Sequence, residues 1–170
     1  MNTFQLLMTD LFKNGLFLTL QLAHDRKYSF DRLCHPWNTL LSPRIYDANI
    51  TWEVEFTDEF GDWWDGLTCE EQISVNASVK LLEALGPGLQ FPHSTGIKSS
   101  RHGRMRELRV QHAGEPYRVL YAFDPRRVAI ILIGGNKTGD DRWYEVNIPI
   151  ADQLYDLHLV TLQKEGKKDG

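Results

Sequence analysis

Residues 105–135 read MRELRVQHAGEPYRVLYAFDPRRVAIILIGG, three strand-like runs cut by two short turn-forming stretches. Met105–Gln111, Pro116–Phe123 and Arg127–Gly134 are rich in aliphatic, aromatic and β-branched residues. His112-Ala-Gly-Glu115 and Asp124-Pro-Arg126 between them carry the glycine, proline and aspartate that reverse a chain. Connections this short predict an antiparallel meander. The third run, Val128–Ile133, is apolar on both faces, which suits the most buried strand.

Working outward, Trp52, Val54 and Phe56 alternate with Thr51, Glu53 and Glu55, the period of a half-buried strand with its apolar residues inward. Thr57 and Asp58 are placed to cap a short helix carrying Phe60, Trp63 and Trp64, two tryptophans read as core. Thr68 with Glu71 three residues later forms a capping box before a second helix. Its core stripe is read as Ile73, Ala77, Leu81 and Leu85 with Leu82 beside them, and Gly86-Pro87 ends it. The segment Gly86–Arg104 reads as a loop. After the meander, Asn147 and Pro149 are expected to open a final helix with Ile150, Leu154 and Leu157 on one face. The expected fold is therefore α+β, a small mainly antiparallel sheet in the order β-α-α-β-β-β-α with helices packed on it.

This order places one domain over residues 50–163. Residues 164–170 read as a flexible tail, and residues 1–49 as an N-terminal extension of unknown role. Met1 and Met8 are the only methionines before Met105, so an over-long start-site assignment is one account of that extension. A chain of 170 residues with 42% hydrophobic and 25% charged side chains can bury a core without a staple, which excludes disordered and fibrous classes. Cys34 and Cys69 form no CxxC pair, and no zinc spacing accompanies them, so a reducing, cytoplasmic setting is expected. The apolar stretch Phe4–Ala23 is interrupted by Asp10, Lys13, Asn14 and Gly15, too often for a membrane span.

The net charge of −4 conceals an asymmetry. Residues 50–95 hold 1 basic and 9 acidic side chains, and residues 96–144 hold 10 basic and 5 acidic. Local fields decide what a surface attracts, so the basic block is where an anion would go. The acidic block, Glu53 to Glu83, reads as a solvated helix face, with docking of a basic partner segment as the alternative. Within the basic block, strand alternation sets Arg106 in phase with Leu108 and Val110, and Arg109 in phase with Met105 and Glu107, on opposite faces. Arg118 falls in phase with Leu120 and Ala122. A cation flanked by apolar neighbours needs either a carboxylate such as Glu107 or a bound anion.

The ordered set Arg106-Glu-Leu-Arg109, Pro116-Tyr-Arg-Val-Leu-Tyr121, Phe123-Asp-Pro125, Gly134-Gly-Asn-Lys-Thr138 and Trp143-Tyr-Glu145 resembles the RelE/ParE toxin superfamily, most closely its phage-derived, HigB-type branch, over residues 50–160. The resemblance implies a toxin of a type II toxin–antitoxin system that cleaves mRNA on the ribosome. It implies no metal and no cofactor, and a helix-turn-helix antitoxin as partner. Arg118 matches the superfamily's arginine on the middle strand, which holds the scissile phosphate. Lys137 matches a basic residue that stabilises transition-state charge, and Tyr144 a tyrosine that orients or deprotonates the attacking 2′-hydroxyl. Arg106 and Arg109 match cations of the preceding strand, and Lys98, Arg101, Arg104 and Arg142 complete an expected RNA-binding set.

Attack of a ribose 2′-hydroxyl on its own phosphodiester needs alignment, proton transfer and charge stabilisation. His93, His102 and His112 lie near enough in sequence to serve, but they fall in loops or turns and read as solvated surface residues. Asp140, Asp141 and Glu145 read as helix N-terminal charges. ParE members use the same fold to poison DNA gyrase without catalysis, and a nucleic-acid-binding regulatory module would need only the basic block.

Overall fold

The computed structural model describes residues 51–166, and the expected extension over residues 1–49 lies outside them. The elements are β1 (Val54–Phe56), α1 (Asp58–Asp65), α2 (Cys69–Leu85), a 3-10 turn (Gly86–Gly88), β2 (Ser94–Gly96), β3 (Met105–His112), β4 (Glu115–Phe123), β5 (Ala129–Asn136) and α3 (Trp143–Glu165). The chain adopts the expected α+β layout, with the meander β3-β4-β5 at its centre. The sheet runs β1-β5-β4-β3-β2, antiparallel except for β1, which pairs in parallel with β5 at Val54–Ala129 through Phe56–Ile131. The β3–β4 turn takes positive φ at Ala113 (49°) and Gly114 (85°), as a tight two-residue hairpin requires.

Helices cover both faces of the sheet. On one, Met105, Leu120, Ala122, Ile130 and Leu132 pack with Trp143, Ile148, Ala151, Leu154 and Tyr155 of α3. Alternation turns Leu108, Val110, Val119, Tyr121 and Ile131 to the other, where α2 lies on β3 and α1 on β5. The caps are as the sequence predicts. Thr57 Oγ1 accepts from Phe60 N at 3.3 Å, and Thr68 and Glu71 form both bonds of the capping box. No helix among the described residues is long and apolar enough to cross a membrane.

Five expectations need correction. The stretch Gly86–Arg104 contains a strand, β2, whose three residues are too few to show alternation. The buried stripe of α2 is Val75, Ser78, Val79 and Leu82, while Ile73 and Leu85 are exposed; the helix is apolar on two sides, and periodicity alone does not choose between them. In β1 it is Glu55 that is fully buried, because Arg126 Nη2 lies 2.8 Å from its Oε2 and supplies the counter-charge. The last helix begins at Trp143, and Pro149 sits inside it, forgoing the bond to the Glu145 carbonyl. Ile150 and Leu157 face outward while Leu154 is buried. That helix continues through Lys164 and Glu165.

Candidate active site

Arg118 sits near the start of β4, directly between Arg109 of β3 and Gly135 of β5, on the face that α3 covers. Gly134 and Gly135 are what let helices approach here from both sides. A Cβ on Gly134 would collide with the indole of Trp63 in α1, and a Cβ on Gly135 would stand 2.6 Å from Nε1 of Trp143. Trp143 thus fills the space that Gly135 leaves. The next residue, Tyr144, is thereby brought over Arg118, with 3.3 Å from Nε to the phenol oxygen.

The Tyr144 hydroxyl donates to Glu107 Oε2 at 2.6 Å, and the second carboxylate oxygen of Glu107 accepts from the Thr95 hydroxyl at 2.7 Å. Arg118 Nε lies 3.6 Å from Glu107 Oε2, and Nη1 donates to the Tyr117 carbonyl at 2.8 Å. Glu107 is thus a carboxylate neighbour of the kind a buried Arg118 calls for. Among the described residues Nη2 of Arg118 has no partner, so it remains a donor for a ligand. Lys137, in the loop leaving β5, holds its ammonium 5.5 Å from the centre of the Tyr144 ring. Burial, and after it the bond to Glu107, push the Tyr144 phenol above its ordinary pKa, against the opposing pull of Arg118. The phenol is therefore kept protonated. A hollow of about 470 Å³ opens beside Tyr144 along the first turns of α3, bordered by Ser99, Arg101 and Ile148.

Arg118, Lys137 and Tyr144, expected together, are together. The expected RNA-binding cations are dispersed. Arg109 shares the face of Arg118 and rests 5.5 Å over the Phe91 ring. Arg106 points to the opposite face, where Nη2 donates to Leu89 O at 2.8 Å and Nε approaches Ser94 Oγ and the Tyr121 hydroxyl. Arg101 pairs with Asp156, and Arg142 lies 3.4 Å from Glu145 on the exposed start of α3. Lys98 and Arg104 are exposed.

Glu107 and Thr95 are members of the cluster that sequence reasoning did not assign to chemistry. Glu107 was legible only as a counter-ion sharing the phase of Arg109, and Thr95 lies on the unrecognised β2. Two histidines expected at the surface are anchored: His102 Nε2 is 2.9 Å from Asp156 Oδ1, and His112 Nδ1 is 2.9 Å from Ser74 Oγ. His93 is exposed. Asp140 Oδ1 accepts from Arg142 N at 2.9 Å and so supports the start of α3, in keeping with its reading as a helix N-terminal charge.

The meander thus carries an arginine on its middle strand, roofed by a tyrosine from the last helix and flanked by a lysine. The chain belongs to the phage-derived Gp49-like family (DUF891), whose model matches residues 62–156. It is 46% identical over 92 residues to a protein named toxin HigB3 of Mycobacterium tuberculosis, an alignment covering 54% of this chain and 79% of that protein. To toxin HigB2 of the same organism it is 36% identical over 117 residues, covering 68% of this chain and 58% of HigB2. A crystal structure of an archaeal RelE–RelB complex from Pyrococcus horikoshii aligns with a TM-score of 0.41 at 16% identity, over 52% of this chain and 98% of the matched chain.

Proposed function

We propose that this toxin is a metal-independent endoribonuclease that cuts mRNA in the cytoplasm, on the ribosome, and is silenced by a helix-turn-helix antitoxin. The observation that carries the proposal is the bond from the Tyr144 phenol to Glu107 Oε2, with Arg118 and Lys137 beside it. Arg118 Nη2 takes a non-bridging oxygen of the scissile phosphate, and Lys137 adds the second positive charge that the phosphorane requires. A phenol with a raised pKa is a poor base alone, but it relays. It accepts the proton of the attacking 2′-hydroxyl while passing its own to Glu107. The 2′-oxygen bonds to phosphorus, the bond to the 5′-oxygen breaks, and the leaving oxygen takes a proton from water, leaving a 2′,3′-cyclic phosphate. Each donor removed should lower the rate by about 10² to 10³.

The test is induction of the full chain in a bacterial host, as wild type, Arg118→Ala and Tyr144→Phe, following amino-acid incorporation and mRNA 5′ ends. Arrest of incorporation with new cleavage sites in the wild type, abolished in both variants, is the expected result. Growth arrest with DNA damage and intact mRNA overturns it in favour of gyrase poisoning. Cleavage by Tyr144→Phe at the wild-type rate overturns the relay.

A further inference from the structure

A second cation-rich site lies at the far end of β4, five residues from Arg118 and so about 17 Å along the strand. It is a cavity of about 440 Å³ walled by Trp52, Phe123 and Asp124 and by the guanidinium-bearing residues Arg104, Arg106 and Arg127. The one carboxylate in this wall already has its partners, and it shares the Arg126 guanidinium with Glu55. Asp124 Oδ1 accepts from the backbone of Arg126 (2.8 Å) and Val128 (3.1 Å), and Oδ2 from Arg126 Nε (2.8 Å), with His158 at 3.0 Å. Arg104 and Arg127 have no carboxylate partner among the described residues.

Arg127 is the informative member. Its φ of 72° places it in the left-handed region, in a reverse turn closed by Arg127 N to Asp124 O at 3.0 Å. Glycine or asparagine suits such a position, and a long β-substituted side chain is strained there. The strained position carries a guanidinium 5.0 Å over the Trp52 ring, in the wall of the cavity. Trp52 is itself fixed, with its indole pressed against Gly86. Arg106 is pinned by Leu89, Ser94 and Tyr121, so Arg106 and Arg127 are oriented before any ligand arrives, while Arg104 is exposed. Strained residues held in place by their surroundings mark ligand sites.

We infer that this cavity is a phosphate-binding subsite, separate from the site at Arg118, that holds a backbone phosphate of single-stranded RNA remote from the bond being cut. Guanidinium forks match phosphate oxygens in pairs, a row of phosphodiesters supplies the several negative charges that three arginines call for, and the apolar walls of Trp52 and Phe123 accept a sugar or base. A lone carboxylate would leave most of that positive charge unanswered. The inference rests on the ribonuclease reading above, which makes RNA the ligand. The same pocket chemistry would also accept a free phosphate ester.

The experiment uses the full chain as wild type, Arg118→Ala and the double variant Arg104→Ala/Arg127→Gly. Its probes are a 2′-O-methyl RNA of about 12 nucleotides, which cannot be cut, together with inorganic phosphate, AMP and an acidic peptide. Readouts are affinity against salt and the NMR signal of the Trp52 indole N–H. The double variant should bind the RNA about tenfold more weakly, with a salt slope smaller by about 1.4, the value for two lost phosphate contacts on a single strand. Arg118→Ala should keep the Trp52 response. A Trp52 response to phosphate or AMP, with RNA affinity unchanged in the double variant, supports the phosphate pocket and assigns it to a free ester. A response to the acidic peptide alone, or to no probe, overturns it. Cleavage by the wild type is scored separately. A double variant that binds and cuts like the wild type, with no Trp52 response to phosphate or AMP in the wild type, sinks the subsite alone, and a wild type that binds at Trp52 yet never cuts sinks the nuclease alone.

Discussion

The Tyr144 hydroxyl donates to Glu107 Oε2 across 2.6 Å, tying the first turn of the last helix to the middle of β3. Both partners also touch Arg118, so three side chains from three elements share one partly buried polar contact. Removing any of them changes the charge balance of the other two.

Glu107→Ala leaves the Arg118 guanidinium buried without its counter-charge and should cost about 3 kcal/mol in urea unfolding. Glu107→Gln keeps the shape and one accepting oxygen for either Thr95 or Tyr144, so it should cost less. Its cleavage rate should still fall by about 10² or more, because an amide does not take up the relayed proton. A Gln variant as active as wild type would remove Glu107 from the chemistry.

The two neighbouring glycines of β5 should separate stability from activity. Gly134→Ala forces a methyl into the Trp63 indole and should destabilise the fold by about 2 kcal/mol while sparing the rate constant. Gly135→Ala pushes on Trp143 next to Tyr144 and should also lower cleavage by the folded fraction. Urea midpoints measured beside single-turnover rates give the comparison.

Tyr117 and Glu71 couple β4 to the capping box of α2. The bond to Glu71, and then burial, push the Tyr117 phenol up to about 12 from an ordinary 10.0. The folded state therefore holds this proton more tightly than the unfolded chain. Stability present below pH 10 should fall as pH rises from about 10 to 12, and Tyr117→Phe should lack that fall. Glu71 is shifted the other way, below 4.5, chiefly by the Tyr117 hydroxyl and then by the Thr68 backbone. Its contribution should be present above pH 4.5 and lost as pH falls through the depressed value, a slope that Glu71→Gln should flatten. Urea midpoints against pH test both arms.

Arg127→Gly relieves a left-handed residue and should raise stability by about 1 kcal/mol, read from the urea midpoint. A loss of stability would mean that the stacking on Trp52 outweighs the backbone strain.

The meander was legible because its turns carry unmistakable residues and its runs are long enough to show alternation. The phase of Arg118 with Leu120 and Ala122 was legible for the same reason, and the structure shows that α3 covers that face. What failed was whatever depends on a distant partner. Glu55 looks like a surface residue until Arg126, 71 positions away, is seen to reach it. Ile73 and Leu85 look like core until α2 is docked and Val75, Val79 and Leu82 turn out to face the sheet. β2 exists only as a ladder on β3, with Thr95 opposite Glu107, and nothing within three residues announces it. The part of the site that escaped the sequence, Thr95 and the role of Glu107, hangs on that same pairing.

The parallel ladder between β1 and β5 also sets an order of assembly during translation. Val54–Phe56 leave the ribosome about 75 residues before Ala129–Ile131 exist to receive them, and Tyr144 follows later still. A nascent chain therefore carries Arg118 and Glu107 with nothing to roof them until its final helix is made. The cell that synthesises this toxin meets the assembled site only when translation of the domain is almost complete, and a message broken upstream of Trp143 yields a product without its tyrosine.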